Sequence, residues 1–143
     1  MTTADHCRRL LHQVDWNLAG DLNGAETTGV VIVIESTRLF GASCGDSGAR
    51  LYRRDATLDL VPTGRTKPFL GSGKALVSEF EAEMEGVLVV ATDGLWKYAK
   101  ASDIAATVRG APPERLAAAL SELPRLRSGN LPDDIAVVTC VSL

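Results

Sequence analysis

At 143 residues and 45% hydrophobic content the chain is sized for a single domain, residues 1–143, with an ordinary core, and no apolar run is long enough to span a bilayer. A net charge of −3, with no long run among the 15 Lys and Arg, excludes a nucleic-acid face, because binding a phosphate backbone needs clustered cations. Three cysteines without a Cys-x-x-Cys spacing exclude a zinc site or a disulfide framework, point to a reducing cytoplasm, and accompany an amino terminus that lacks the apolar core of a secretory signal.

Along residues 4–18, Cys7, Leu10, Leu11, Val14 and Leu18 recur at three- and four-residue spacing and predict an amphipathic helix. His6 and His12 fall on it as solvated side chains, and Trp16 is expected in the core. After a turn at 21–24, the β-branched run 29–34 predicts a strand covered on both faces, with Thr27 and Thr28 shaping its start. A second strand at 38–44, the turn Gly45-Asp46-Ser47-Gly48 and a third strand at 49–54 read as a hairpin with Asp46 at its bend. Arg50, Arg53 and Arg54 are the densest basic group; they read as a solvated strand end or as an attraction for a phosphorylated substrate.

Residues 55–74 carry Pro62, Gly64, Pro68, Gly71 and Gly73 and predict a long surface loop or weakly structured flap. Phe80 and Met84 lie in an acidic stretch that reads as a solvated approach to the next strand, 86–92. Trp96 is assigned to the core. Ser102-Asp103-Ile104 supplies a cap and the start of a short helix, Pro112 and Pro113 open another that Pro124 stops, and the last strand is 135–141. Five strands with helices grouped outside them predict mainly antiparallel sheet, and strands apolar on both alternating faces require two covers.

Two acidic strand ends carry the chemistry. Val87-Leu88-Val89-Val90-Ala91-Thr92-Asp93-Gly94-Leu95-Trp96 and Asn130-Leu131-Pro132-Asp133-Asp134-Ile135-Ala136-Val137-Val138 each set a carboxylate where an apolar run meets a turn, at the edge of solvent. Either aspartate alone reads as turn chemistry. Together they point to one shared site for a divalent cation, because hard cations prefer carboxylate oxygens.

Four pieces of the sequence also match a known family in its order: Glu26-Thr27-Thr28-Gly29-Val30-Val31, Cys44-Gly45-Asp46-Ser47-Gly48-Ala49, Ala91-Thr92-Asp93-Gly94-Leu95-Trp96 and Asp133-Asp134-Ile135-Ala136-Val137-Val138. On these the chain resembles the carboxy-terminal part of the metal-dependent protein serine/threonine phosphatases of type 2C. The resemblance implies an α+β fold, an αββα sandwich of mainly antiparallel sheets, incomplete at the amino terminus. It also implies a binuclear Mg2+ or Mn2+ centre. Asp93 and Asp133 correspond to metal ligands, Asp134 stands where the family usually has Asn, and Asp46 corresponds to an acid that helps bind an additional, looser metal. The activity implied is hydrolysis of phosphoserine or phosphothreonine in a phosphoprotein substrate by metal-activated water.

Two departures shape that expectation. No Asp-Gly-x-Gly-Gly motif occurs, so the bridging acid and the phosphate-binding Arg of the family have no counterpart, and Lys97 stands where the family commonly carries another acid. The sequence therefore predicts impaired activity and a sheet edge completed by a partner or a further segment. The alternative is a catalytically silent phosphatase-like fold that binds a phosphoprotein or a kinase as a regulatory module.

Overall fold

The computed structural model describes residues 2–21, 23–61 and 67–143. Contacts divide the chain into two units, one of residues 1–47 and 60–84, the other of residues 48–59 and 85–143. Each is a helical layer on an antiparallel sheet, and no described helix is long and apolar enough to cross a membrane.

In the first unit helix α1 (Ala4–Ala19) lies against a three-stranded sheet of order β1 (Gly29–Glu35), β2 (Arg38–Cys44), β5 (Ser78–Glu83). Cys7 and Leu11 of α1 pack with Ala42, Cys44, Leu70 and Ala75, with Val14 and Leu18 partly buried beside them. The predicted stripe holds except at Leu10, which is 51% exposed. The central strand β2 is buried from Leu39 to Cys44, on both alternating faces, as the two-cover expectation requires, whereas the edge strand β1 is only half-buried.

In the second unit β4 (Thr57–Asp59), β3 (Gly48–Tyr52), β6 (Val87–Ala91) and β7 (Val137–Val141) form an antiparallel sheet in that order. Helices α2 (Asp93–Tyr98), α3 (Ala101–Gly110) and α4 (Pro113–Glu122) supply Leu95, Ile104, Val108, Leu116 and Leu120 to a core with Tyr52, Val89 and Ala91. Pro113 opens α4 at its first position, where a missing N–H costs nothing. The cap of α3 is Lys100, two residues earlier than the expected Ser102.

Several sequence expectations are corrected. Strands β2 and β3 do not form a hairpin: β2 pairs with β1 and β5, β3 with β4 and β6, so Gly45–Ser47 is a link between sheets. The described residues carry seven strands instead of five. Phe80 and Met84 are buried, not solvated, since β5 alternates exposed Glu79 and Glu81 with Phe80, whose ring lies over Gly41. The predicted flap is built into the core through Leu60, Val61 and Leu70, and it contains β4. Pro62 and Gly64, part of that expectation, lie outside the described residues. Trp16 is 74% exposed and belongs to no core.

Asp15 explains why the segment after Leu70 is held. It is only 4% exposed, and its carboxylate accepts the backbone N–H groups of Gly71 (2.7 Å), Gly73 (3.0 Å) and Ala75 (3.1 Å). Burial raises its pKa, but the three donors outweigh burial and hold the carboxyl below its ordinary value. One helical carboxylate thus replaces a strand partner for three alternate amides of this segment.

Candidate functional site

The site is built where β6 ends. Thr92 is extended (φ −68°, ψ 164°) and caps α2 by position, yet its hydroxyl makes no cap hydrogen bond. Its oxygen accepts the Ala136 N–H at 3.0 Å, and its hydroxyl donates to the Asp134 carbonyl at 3.4 Å. The Thr92 N–H donates to the Ala136 carbonyl at 3.1 Å. One residue thereby fastens the start of α2 to the segment entering β7.

Gly94 tightens the same junction. It is buried, and a Cβ built there would lie 2.5 Å from the Asp134 carbonyl oxygen and 2.9 Å from Ile135 Cγ1. Only a residue without a side chain allows this approach. Beneath it, Trp96 Nε1 donates to the Ala91 carbonyl at 3.0 Å, its ring occupies the space above Gly48, and the Arg50 guanidinium stacks on that ring at 4.5 Å. Trp96 is partly buried against the core, in line with its core assignment.

The two acidic segments predicted to meet are therefore hydrogen-bonded neighbours. Asp93 is the first residue of α2, half-buried, at the positive end of the helix dipole, which favours a carboxylate. Asp133 is exposed and its Oδ1 accepts the Asp134 N–H at 2.8 Å, shaping the turn; Asp134 is exposed and contributes its carbonyl to Thr92. Asp46 belongs to the first unit. It is exposed on the Gly45–Ser47 link, which is pinned by a 3.0 Å hydrogen bond between Thr28 and the buried Ser47. Thr27 and Thr28 do shape the strand start, Thr27 by exchanging backbone hydrogen bonds with Leu70. Lys97 is exposed and lies over the Tyr98 ring at 5.3 Å.

Sequence reasoning missed Thr92 as the clamp and α2 as an element. A threonine ahead of Asp-Gly is a helix-cap signal, so the helix start was readable. The diversion of the hydroxyl to residues 134–136 was not.

Among the described residues no three His, Cys, Asp or Glu side chains gather as metal ligands. The donor chemistry matches Mg2+ or Mn2+: Asp93 and Asp133 carry hard carboxylate oxygens, and magnesium is commonly held by one or two carboxylates with waters and substrate phosphates completing its shell. Two such carboxylates on adjoining turns would suit one hydrated ion.

No family model matches the sequence, and no curated protein does. Solved structures do. A bacterial serine phosphatase, determined with a point substitution, superposes with a TM-score of 0.81 over 94% of this chain and 65% of its own, at 16% identity. The chain carries the fold of the type 2C serine/threonine phosphatases. Stp1, a serine/threonine phosphatase of Staphylococcus aureus, is similar at a TM-score of 0.77 and 15% identity, covering 97% of this chain and 66% of that one. The serine/threonine phosphatase PstP/Ppp of Mycobacterium tuberculosis gives 0.75 and 19%, with 92% and 67% covered. The chain thus spans about two thirds of the length of the phosphatase-fold chains it matches.

Proposed function

We propose that this chain is the carboxylate-bearing part of a protein serine/threonine phosphatase that hydrolyses phosphoserine or phosphothreonine with Mg2+ or Mn2+. The observation that carries the reading is the Thr92 clamp, which sets the Asp93 turn beside the Asp133–Asp134 turn within a phosphatase fold. A bound divalent cation supplies a water of lowered pKa and offsets phosphate charge. Asp93 and Asp133 hold that cation. Gly94 lets the second turn approach Asp93 without a side chain between them. Asp134 is a further oxygen donor at the same turn, and Asp46 the donor for a looser ion.

The sequence has no Asp-Gly-x-Gly-Gly motif, so these 143 residues do not themselves supply the bridging acid, and activity is reduced accordingly. The substrate is a phosphoprotein, and an edge strand is the place for a completing segment. A cytoplasmic setting belongs to the same proposal, supported by three free cysteines, two of them buried.

Turnover of p-nitrophenyl phosphate and of a phosphothreonine peptide, measured with Mn2+, with Mg2+ and with a chelator, tests the reading. Metal-dependent turnover that disappears in Asp93→Asn and Asp133→Asn supports it. Turnover unaffected by chelator, or equal in the variants, refutes it, and metal binding without any turnover leaves the silent module.

A further inference from the structure

The basic group of the sequence is split by the structure. Arg50 is taken by Asp59, 3.5 Å away, and by the Trp96 ring. Arg53 and Arg54 line a cavity of about 540 Å³ together with Arg109, brought from the last turn of α3 some fifty residues later in the chain. Its remaining walls are Tyr52, the β3–β4 turn through Thr57, and the apolar Val87 and Val108.

Several features mark this cavity as a ligand site. Its volume falls in the range of small-ligand pockets, and it joins an apolar wall to a few convergent polar groups. Three arginines and a single acid, Asp55, are among its lining residues, a basic excess in a chain whose net charge is negative. Burial pushes the Tyr52 phenol up, against the opposing influence of Arg50, so Tyr52 is a neutral hydroxyl at physiological pH. The β3–β4 turn that carries two of the arginines is closed by the Arg53 N–H donating to the Ala56 carbonyl at 2.8 Å, which fixes their backbone. Guanidinium forks match phosphate oxygens in geometry as well as charge.

The cavity is separate from the acidic turns. Tyr52 pairs with Val87 at one end of the β3–β6 ladder, and Gly48 pairs with Ala91, two residues before Asp93, at the other. Four residues of strand place the two ends about 13 Å apart.

We propose that this cavity is a docking site for a phosphomonoester group borne on a protein, engaged by Arg53, Arg54 and Arg109, at the end of the second sheet opposite the acidic turns. It holds a phosphorylated side chain without hydrolysing it, since the carboxylates lie elsewhere. The inference does not rest on the acidic turns being active.

The test is fluorescence anisotropy of a labelled phosphoserine peptide with uncharged flanks, and of its unphosphorylated twin, on the full 143-residue chain in the presence of a chelator. Hydrolysis is then silent and binding alone is read. The expected result is binding of the phosphopeptide only, weakened about tenfold or more in the Arg54→Gln/Arg109→Gln double variant, as the loss of charge-assisted hydrogen bonds predicts. Asp93→Asn leaves it unchanged. Arg54 and Arg109 are exposed, so the double variant should melt like the wild type, and Arg54→Lys/Arg109→Lys should recover part of the affinity. Equal binding of both peptides, full affinity in the double variant, loss of binding in Asp93→Asn, or displacement by inorganic phosphate at the peptide's own concentration would each overturn the proposal.

Discussion

Gly94→Ala sets two physical effects against each other at the centre of the candidate site. Gly94 lies in the first turn of α2, and replacing glycine by alanine in a helix ordinarily stabilises by about 1 kcal/mol. The tertiary contact has the opposite sign. The added Cβ would stand 2.5 Å from the Asp134 carbonyl oxygen, a backbone atom, and 2.9 Å from Ile135 Cγ1. Neither can rotate away as the tip of a long side chain can, so the junction itself must open. Overpacking of this kind costs about 1–3 kcal/mol, and displacing residues 134–136 also strains the Thr92 hydrogen bonds at 3.0 and 3.1 Å, each worth about 1 kcal/mol. After the helix gain is subtracted, a net loss of about 1–2 kcal/mol remains, or about 3–8 °C in Tm for a chain of this size. Urea unfolding followed by circular dichroism reads the sign directly, and Mn2+ titration reads whether the acidic turns stay together. A variant more stable than the wild type would refute the steric argument and, with it, the claim that Gly94 is there to admit Asp134.

Asp15→Asn should destabilise by about 2 kcal/mol at pH 7, because one amide oxygen cannot serve three N–H donors and its own NH2 would face one of them. The folded-state pKa of Asp15 is depressed, so its contribution is complete above the ordinary value of 3.8 and is lost as pH falls through the lower folded value; the gap between wild type and variant in thermal melts should close in acid, and a gap constant down to pH 3 would contradict it. Trp16→Ser should change stability by no more than about 0.5 kcal/mol, whereas Trp96→Phe should lose about 1–2 kcal/mol with the hydrogen bond to the Ala91 carbonyl; equal effects in denaturant titrations would reverse the assignment. Phe80→Ala should cost about 3 kcal/mol and Glu81→Ala, its exposed neighbour on β5, under about 0.5 kcal/mol, and a soluble, equally stable Phe80→Ala variant would return that segment to solvent.

The two turns of the candidate site were legible because their signals are local. An apolar run that ends in Asp-Gly and another that begins after Pro-Asp-Asp mark strand ends whatever surrounds them, and a helical stripe from Cys7 to Leu18 needs only the 3.6-residue period. The alternation Glu79-Phe80-Glu81 was equally local and was overridden by its charge; its period of two was the better guide, since a half-buried strand shows the same charge on its outer face. Trp16 shows the converse, a large apolar residue left outside although its helix was read correctly, because it falls off the buried stripe.

The amino-acid order by itself determined where carboxylates meet turns and which helices are amphipathic. Tertiary structure alone decided that Gly45–Ser47 joins two sheets rather than closing a hairpin, that Thr92 turns its hydroxyl to residues 134–136, that Asp15 holds a loop some sixty residues away, and that Arg109 joins Arg53 and Arg54. The division follows from range: strand and helix periods are set by neighbouring residues, whereas sheet partnership and shared hydrogen bonds depend on which distant segments the core brings within about 3 Å of one another.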